Sequence, residues 1–149
     1  MATLYSDVYN PFLEKITDYD LPAFAEADRE NILHGFMIRT CTKFQRICKT
    51  IGNIDLSDRD ETLKQFNPNL TDEIIDIITT GMTVEWLKPK YLYDDNMKNM
   101  LNTKDYSMAA SPANMANSIR NTYLETKKEF ESMMNGYSFA NGNIEELKP

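Results

Sequence analysis

Residues 70–86 read LTDEIIDIITTGMTVEW, and the way this stretch folds decides the architecture. Thr71 stands where a helix N-cap is needed, Asp72 and Glu73 put negative charge on the positive end of the helix, and Leu70 and Ile75 occupy the two positions of a hydrophobic staple. Ile74, Ile75, Ile77, Ile78, Met82, Val84, Trp86 and Leu87 cover more than one narrow stripe. A helix so decorated meets neighbours on at least two sides and belongs at the centre of a bundle. Gly81 lowers helix propensity by roughly 1 kcal/mol relative to Ala, so its use there points to the close approach of another backbone. Pro89 is expected to stop the helix by pushing Lys88 towards extended geometry.

Working outward, the spacing of Leu33, Phe36, Met37, Cys41, Phe44, Ile47, Cys48 and Ile51 predicts a helix over 28–50 with one buried face. Arg39, Lys43, Arg46 and Lys49 lie on its other side, with His34 a turn earlier, and Gly52 is a natural terminator. The last long helix opens at Ser111 with Pro112 in its first position, carries Met115, Ile119, Thr122 or Tyr123, Thr126, Phe130 and Met133 on one face, and is expected to end at Gly136. A shorter helix over 6–16 presents Leu4, Val8, Phe12 and Ile16 with Tyr5 and Tyr9 beside them, although Pro11 requires it to start late or bend. Asp18, Asp20 and Pro22 mark a turn after it. Ser57 is placed to cap a short helix over 58–66, and another short helix is expected between Tyr91 and Leu101.

These elements amount to an all-α protein: a small helical bundle of three long helices with shorter connecting ones, an extended loop over 102–111 and a C-terminal tail. A chain of 149 residues is one ordinary domain, divided here into a helical body over 1–136 and a tail over 137–149. With 42% apolar and 26% charged residues it has the composition of a folded globular protein, and no run of about 18 apolar residues offers a membrane span. MATLYSDVYNPF lacks the basic segment and apolar core of a secretory signal. Cys41 and Cys48 are two turns apart on one helix, about 10.5 Å, too far for a disulfide within it. Reduced thiols in a chain made in the cytosol follow.

Chemistry is hard to find. His34 has no partner with metal-ligand spacing, Asp58, Asp60 and Glu61 lack the alternation and glycine of a calcium loop, and phosphate loops, nucleophile elbows and C-x-x-C pairs are absent. No catalytic, cofactor-binding or metal residue is therefore assigned, and the expectation is a protein that is not an enzyme. The net charge of −7 argues against wrapping nucleic acid, and the basic face of the second helix lacks a helix-turn-helix or a basic arm.

The arrangement of charge is more informative. Seven acids between Asp55 and Asp76 stand against only Arg59 and Lys64. Arg39, Lys43 and Arg46 on one side and Asp58, Asp60 and Glu61 on the other pair either within one molecule or between identical molecules set head to tail. Two segments carry apolar groups without a helix of their own and so read as partner contacts. They are the loop with Asn102, Lys104, Tyr106 and Met108, and the tail with Tyr137, Phe139, Ile144 and Leu147.

The order YNPFLEKITDYDLPAF, ILHGFMIRTCTKFQ, DLSDRDETLKQFNPNLTDEIIDIITTGMTVEWLKPK and MLNTKDYSMAASPANMANSIRNTYLETKKEF, from about Asp7 to Tyr137, resembles the small helical head-to-tail connector (adaptor, neck) proteins of tailed bacteriophages of Gram-positive hosts. Its most specific parts are 66–90, closing on Glu85-Trp86-Leu87-Lys88-Pro89, and Asn102-Thr103-Lys104-Asp105-Tyr106. The resemblance implies a structural virion protein, made in the host cytoplasm and located in the neck. It implies a ring of identical subunits, a dodecamer, below the portal protein and above a stopper or tail-completion protein, with packaged DNA passing through the channel without sequence-specific binding and with no membrane involved. It transfers no active-site residue. The competing class is a small acidic phage or host protein that binds and inhibits one cellular partner, equally compatible with the charge and helical content.

Overall fold

The computed structural model describes residues 2–16, 26–48, 54–100 and 110–141. It is a helical bundle with a small open sheet: β1 (Thr3–Leu4), α1 (Ser6–Lys15), α2 (Glu26–Cys48), β2 (Arg59–Asp60), β3 (Gln65–Phe66), α3 (Asp72–Met100) and α4 (Ala110–Asn141). The expected turn at Asp18–Pro22, the terminator Gly52 and Ile51 lie outside the described residues.

α3 is the centre, packed against α1, α2 and α4. Its start is as read: Thr71 Oγ1 accepts a hydrogen bond from Ile74 N at 3.3 Å and Thr71 O one from Ile75 N at 3.0 Å. Ile74, Ile77, Ile78, Met82, Val84 and Leu87 are buried, which removes the water-exposed apolar surface of almost the whole first half of the helix. Gly81 is close to side chains, not to a backbone: a methyl built there would meet Thr40 of α2 and the edge of the Phe130 ring of α4.

Two stop signals did not stop their helices. α3 runs through Pro89 to Met100 as one element, absorbing the short helix expected after Tyr91. A mid-helix proline costs about 3 kcal/mol, and packing offsets it here. Tyr91 stacks on Tyr123 of α4 with centroids 4.8 Å apart and rings within 10° of parallel, so the chain beyond Pro89 is held on the bundle. α4 likewise passes through Gly136 to Asn141, because Tyr137 just beyond the glycine is buried against Phe44 of α2, centroids 5.5 Å apart. Tyr137 and Phe139 therefore belong to a helix and not to a loose tail. In α1 the helix starts at Ser6 and encloses Pro11.

The segment expected as a helix over 58–66 is a β-hairpin. β3 lies in the middle of the sheet, order β1-β3-β2, with both neighbours antiparallel: Thr3 pairs with Phe66 and Leu4 with Gln65, Arg59 with Phe66 and Asp60 with Gln65. The turn has its own chemistry. Asp60 Oδ1 accepts from Thr62 N and Leu63 N, each at 2.9 Å, and Lys64 takes a left-handed φ of 54°. Asn67 closes the hairpin onto Asp58, its N–H donating to Asp58 O at 3.0 Å and its Nδ2 to Asp58 Oδ1 at 2.7 Å. A helix would have put Leu63 and Phe66, three apart, on one face. The hairpin separates them, burying Phe66 fully and leaving Leu63 61% exposed.

The core joins Val8 and Phe12 of α1, Leu33, Met37 and Phe44 of α2, Leu56 and Phe66 of the hairpin segment, the α3 residues above, and Tyr123, Phe130, Met134 and Tyr137 of α4. Met134 fills the place expected for Met133, which is half-buried, and Ile47, expected inside, is exposed. Cys41 and Cys48 are free, buried thiols. Among the described residues no helix is long and apolar enough to cross a membrane.

Candidate functional site

The charges of α2 divide between two destinations. Arg39 and Lys43 turn to α3, where both donate to the buried carboxylate of Glu85: Arg39 Nε at 3.2 Å to Oε2, and Lys43 Nζ to Oε1. These two residues, expected to face the acidic 55–76 segment or a neighbouring subunit, thus satisfy a buried acid within the fold. The reason is positional, because an ionised carboxylate in the bundle interior needs donors of its own.

The acidic segment instead lies along the other side of α2, running antiparallel to it. Gln45 Nε2 donates to Asp55 Oδ1 at 3.3 Å, His34 meets Glu61 at 2.9 Å, and Lys64 meets Glu30 at 2.6 Å. Asp58 and Asp60 spend their oxygens on the hairpin itself, as described above. Glu61 is a hub, accepting from the Tyr5 hydroxyl at 3.0 Å, from His34 Nε2, and standing 3.7 Å from Arg59 Nε. Because a carboxylate only accepts, His34 Nε2 is the donor of this hydrogen bond. Asp55 is held below the usual carboxylate range by hydrogen bonds from the Ser57 hydroxyl and N–H.

Around Glu61 is a small polar cavity of about 180 Å³ lined by Tyr5, Tyr9, Glu30, Asn31, His34, Glu61 and Lys64. Burial, and then the hydrogen bond to Glu61, push the Tyr5 phenol up to about 12. Burial raises Tyr9 as well, with Glu30 adding to it. Both phenols stay protonated at neutral pH and can donate hydrogen bonds, not act as bases. The Tyr9 hydroxyl is the one fully buried side-chain polar atom among the described residues without a hydrogen-bond partner. The thiols are equally quiet: burial pushes Cys41 up to about 12 and Cys48 up to about 11. No group of three or more His, Cys, Asp or Glu able to hold a metal ion occurs among the described residues.

A second, larger cavity of about 280 Å³ opens between α2, α3 and α4. Ile47, Val84, Tyr123, Phe130 and Met134 form its floor, and Lys43, Arg46, Lys88, Lys127 and Glu131 its rim. With Lys43 committed to Glu85, Arg46, Lys88 and Lys127 stand against Glu131 and make this groove basic on a chain whose net charge is −7. Arg46, Lys88 and Lys127 make no ion pair among the described residues, so their charge faces outward.

Large apolar side chains also break the surface. Phe139 near the end of α4 is 81% exposed, and Leu63 at the hairpin tip 61%. Of the partner-contact candidates, Tyr137 is buried in the bundle and Phe139 exposed, while Asn102, Lys104, Tyr106, Met108, Ile144 and Leu147 lie outside the described residues. Of the charge candidates, Arg46 alone remains uncommitted. Sequence reasoning missed Glu85, Lys88, Lys127 and Leu63. Glu85 carried a usable signal, being an acid inside the apolar run Met82, Val84, Trp86, Leu87. No family model, no curated protein and no solved structure matches this chain.

Proposed function

We propose that this chain is a structural protein of a phage neck, a head-to-tail connector that forms a ring below the portal protein and joins the DNA-filled head to the tail through a stopper or tail-completion protein. The observation that carries this reading is the placement of two exposed apolar anchors. Leu63 sits on the hairpin whose neighbours Glu61 and Lys64 hold His34 and Glu30 of α2, whereas Phe139 follows Tyr137, which packs on Phe44. Phe44 lies 10 residues beyond His34 and 14 beyond Glu30, so the anchors attach roughly 15–21 Å from each other along one rod. Two different sticky surfaces on one subunit suit a heterologous contact, the kind that closes into a ring when its rotation divides the circle evenly.

In this reading the bundle is the rigid body of the connector, and the segments expected to meet the portal or the next copy are 102–111 and 137–149. The negative net charge suits a channel through which DNA slides without sequence-specific contact. The resemblance of 7–137 to phage neck proteins points the same way.

Disruption of the gene in its phage, complemented in trans, tests this. The expected product is heads filled with DNA but lacking tails, with tailed infectious particles restored by complementation. Infectious tailed particles made without the protein would overturn the reading.

A further inference from the structure

We infer that the basic groove between α2, α3 and α4 is the socket for the hairpin tip of a second copy of this chain, with Leu63 as the inserted side chain. The groove has the two properties such an occupant requires. Its floor is apolar, with Phe130 and Met134 among its residues, and its rim carries Arg46, Lys88 and Lys127 with no internal ion pair. The floor separates this site from a phosphate-backbone site, which needs cations but gains nothing from buried aliphatic and aromatic surface.

The hairpin tip is the matching piece. Leu63 stands 61% exposed on a turn already fixed by the two hydrogen bonds to Asp60, so little conformational freedom is lost when it inserts. Asp58, Asp60 and Glu61 on the hairpin outnumber Arg59 and Lys64, so the tip carries a net negative charge towards the basic rim. A cavity of about 280 Å³ holds as much as roughly nine liquid waters, room for a leucine side chain together with water beneath the charged rim. The tip cannot reach its own groove: it is tied to α2 near Glu30, while the groove uses α2 from Lys43 to Ile47, about 20 Å along the helix. Tip and groove are therefore different surfaces of one subunit, and copies joined through them run head to tail.

This docking deepens the proposed ring, and a mixing experiment tests it separately from the virion phenotype. Leu63→Asp disables the tip, and the double variant K88E/K127E disables the groove. All three positions are exposed, so both proteins are expected to keep wild-type circular dichroism and unfolding midpoints. In sedimentation velocity and native mass spectrometry, each variant alone is expected to self-associate roughly thirtyfold or more weakly than wild type, the size of a truncated hot-spot residue. Mixed, they are expected to give a one-to-one dimer that cannot extend, because one supplies an intact tip and the other an intact groove.

Variants that assemble like wild type, or a mixture that stays monomeric, overturn the docking while leaving the neck reading to the gene-disruption result. A wild-type chain that remains monomeric at millimolar concentration does the same. A groove variant that loses affinity for double-stranded DNA yet self-associates normally reassigns the groove to phosphate binding, and also overturns it.

Discussion

Gly81→Ala is expected to destabilise this protein although the substitution favours helix. In a solvated helix the change stabilises by roughly 1 kcal/mol. Here the added methyl lies 2.7 Å from the Phe130 ring edge and closer still to Thr40 Cγ2, whereas carbon atoms rest about 3.5–4.0 Å apart. Neither neighbour yields freely. Thr40 is buried, β-branched and hydrogen-bonded to Phe36 O at 2.8 Å, and Phe130 is buried among three helices. Overpacking of this kind costs about 1–3 kcal/mol, and the involvement of two elements puts it in the upper part of that range. The net loss is then about 1–2 kcal/mol, or roughly 3–6 °C in Tm for a chain of this size. Urea unfolding followed by circular dichroism measures it, and a double-mutant cycle with Phe130→Leu isolates the contact. In the Phe130→Leu background the same alanine is expected to cost less than in wild type, the remainder being the contact with Thr40. A Gly81→Ala protein more stable than wild type would refute the packing of α3 against α2 and α4 described above.

The Glu85 cluster predicts an asymmetry: Glu85→Leu leaves two cations that are half-exposed and water can solvate, costing about 1 kcal/mol, whereas R39M/K43M strands a buried carboxylate and costs about 3–5 kcal/mol; equal losses in urea unfolding would contradict this. Alkaline pH should unfold the protein. The Cys41 thiol is raised from 9.0 to about 12, so between those values the unfolded chain gives up its proton first and stability falls as pH rises, by on the order of 4 kcal/mol over the full interval, with Cys48 and Tyr5 acting in the same direction. A urea midpoint that stays level from pH 8 to pH 11 would count against it. Phe139→Ser removes an exposed ring and is expected to change stability by less than about 0.5 kcal/mol while abolishing tail attachment in a complementation assay; wild-type complementation would exclude Phe139 as an anchor.

The residues that were legible in advance are those whose environment is local. Thr71, Asp72 and the isoleucines of α3 announce both the start of the helix and its burial, because capping and a broad apolar surface need no distant partner. Pro89 and Gly136 misled, since each is a local stop signal overruled by an aromatic contact from another helix, Tyr91 on Tyr123 and Tyr137 on Phe44. The hairpin was hidden by Ser57 and the acids after it, which suit a helix start as well as they suit the turn made by Asp60. The basic groove could not be seen at all along the chain: Arg46, Lys88 and Lys127 come from three helices and converge only in the folded bundle.

Quantitative mass spectrometry of purified, DNA-filled virions tests the central claim most directly. A connector ring predicts this protein in every particle at about twelve copies, in fixed ratio to the portal protein. Its absence from particles that are complete and infectious would contradict the account.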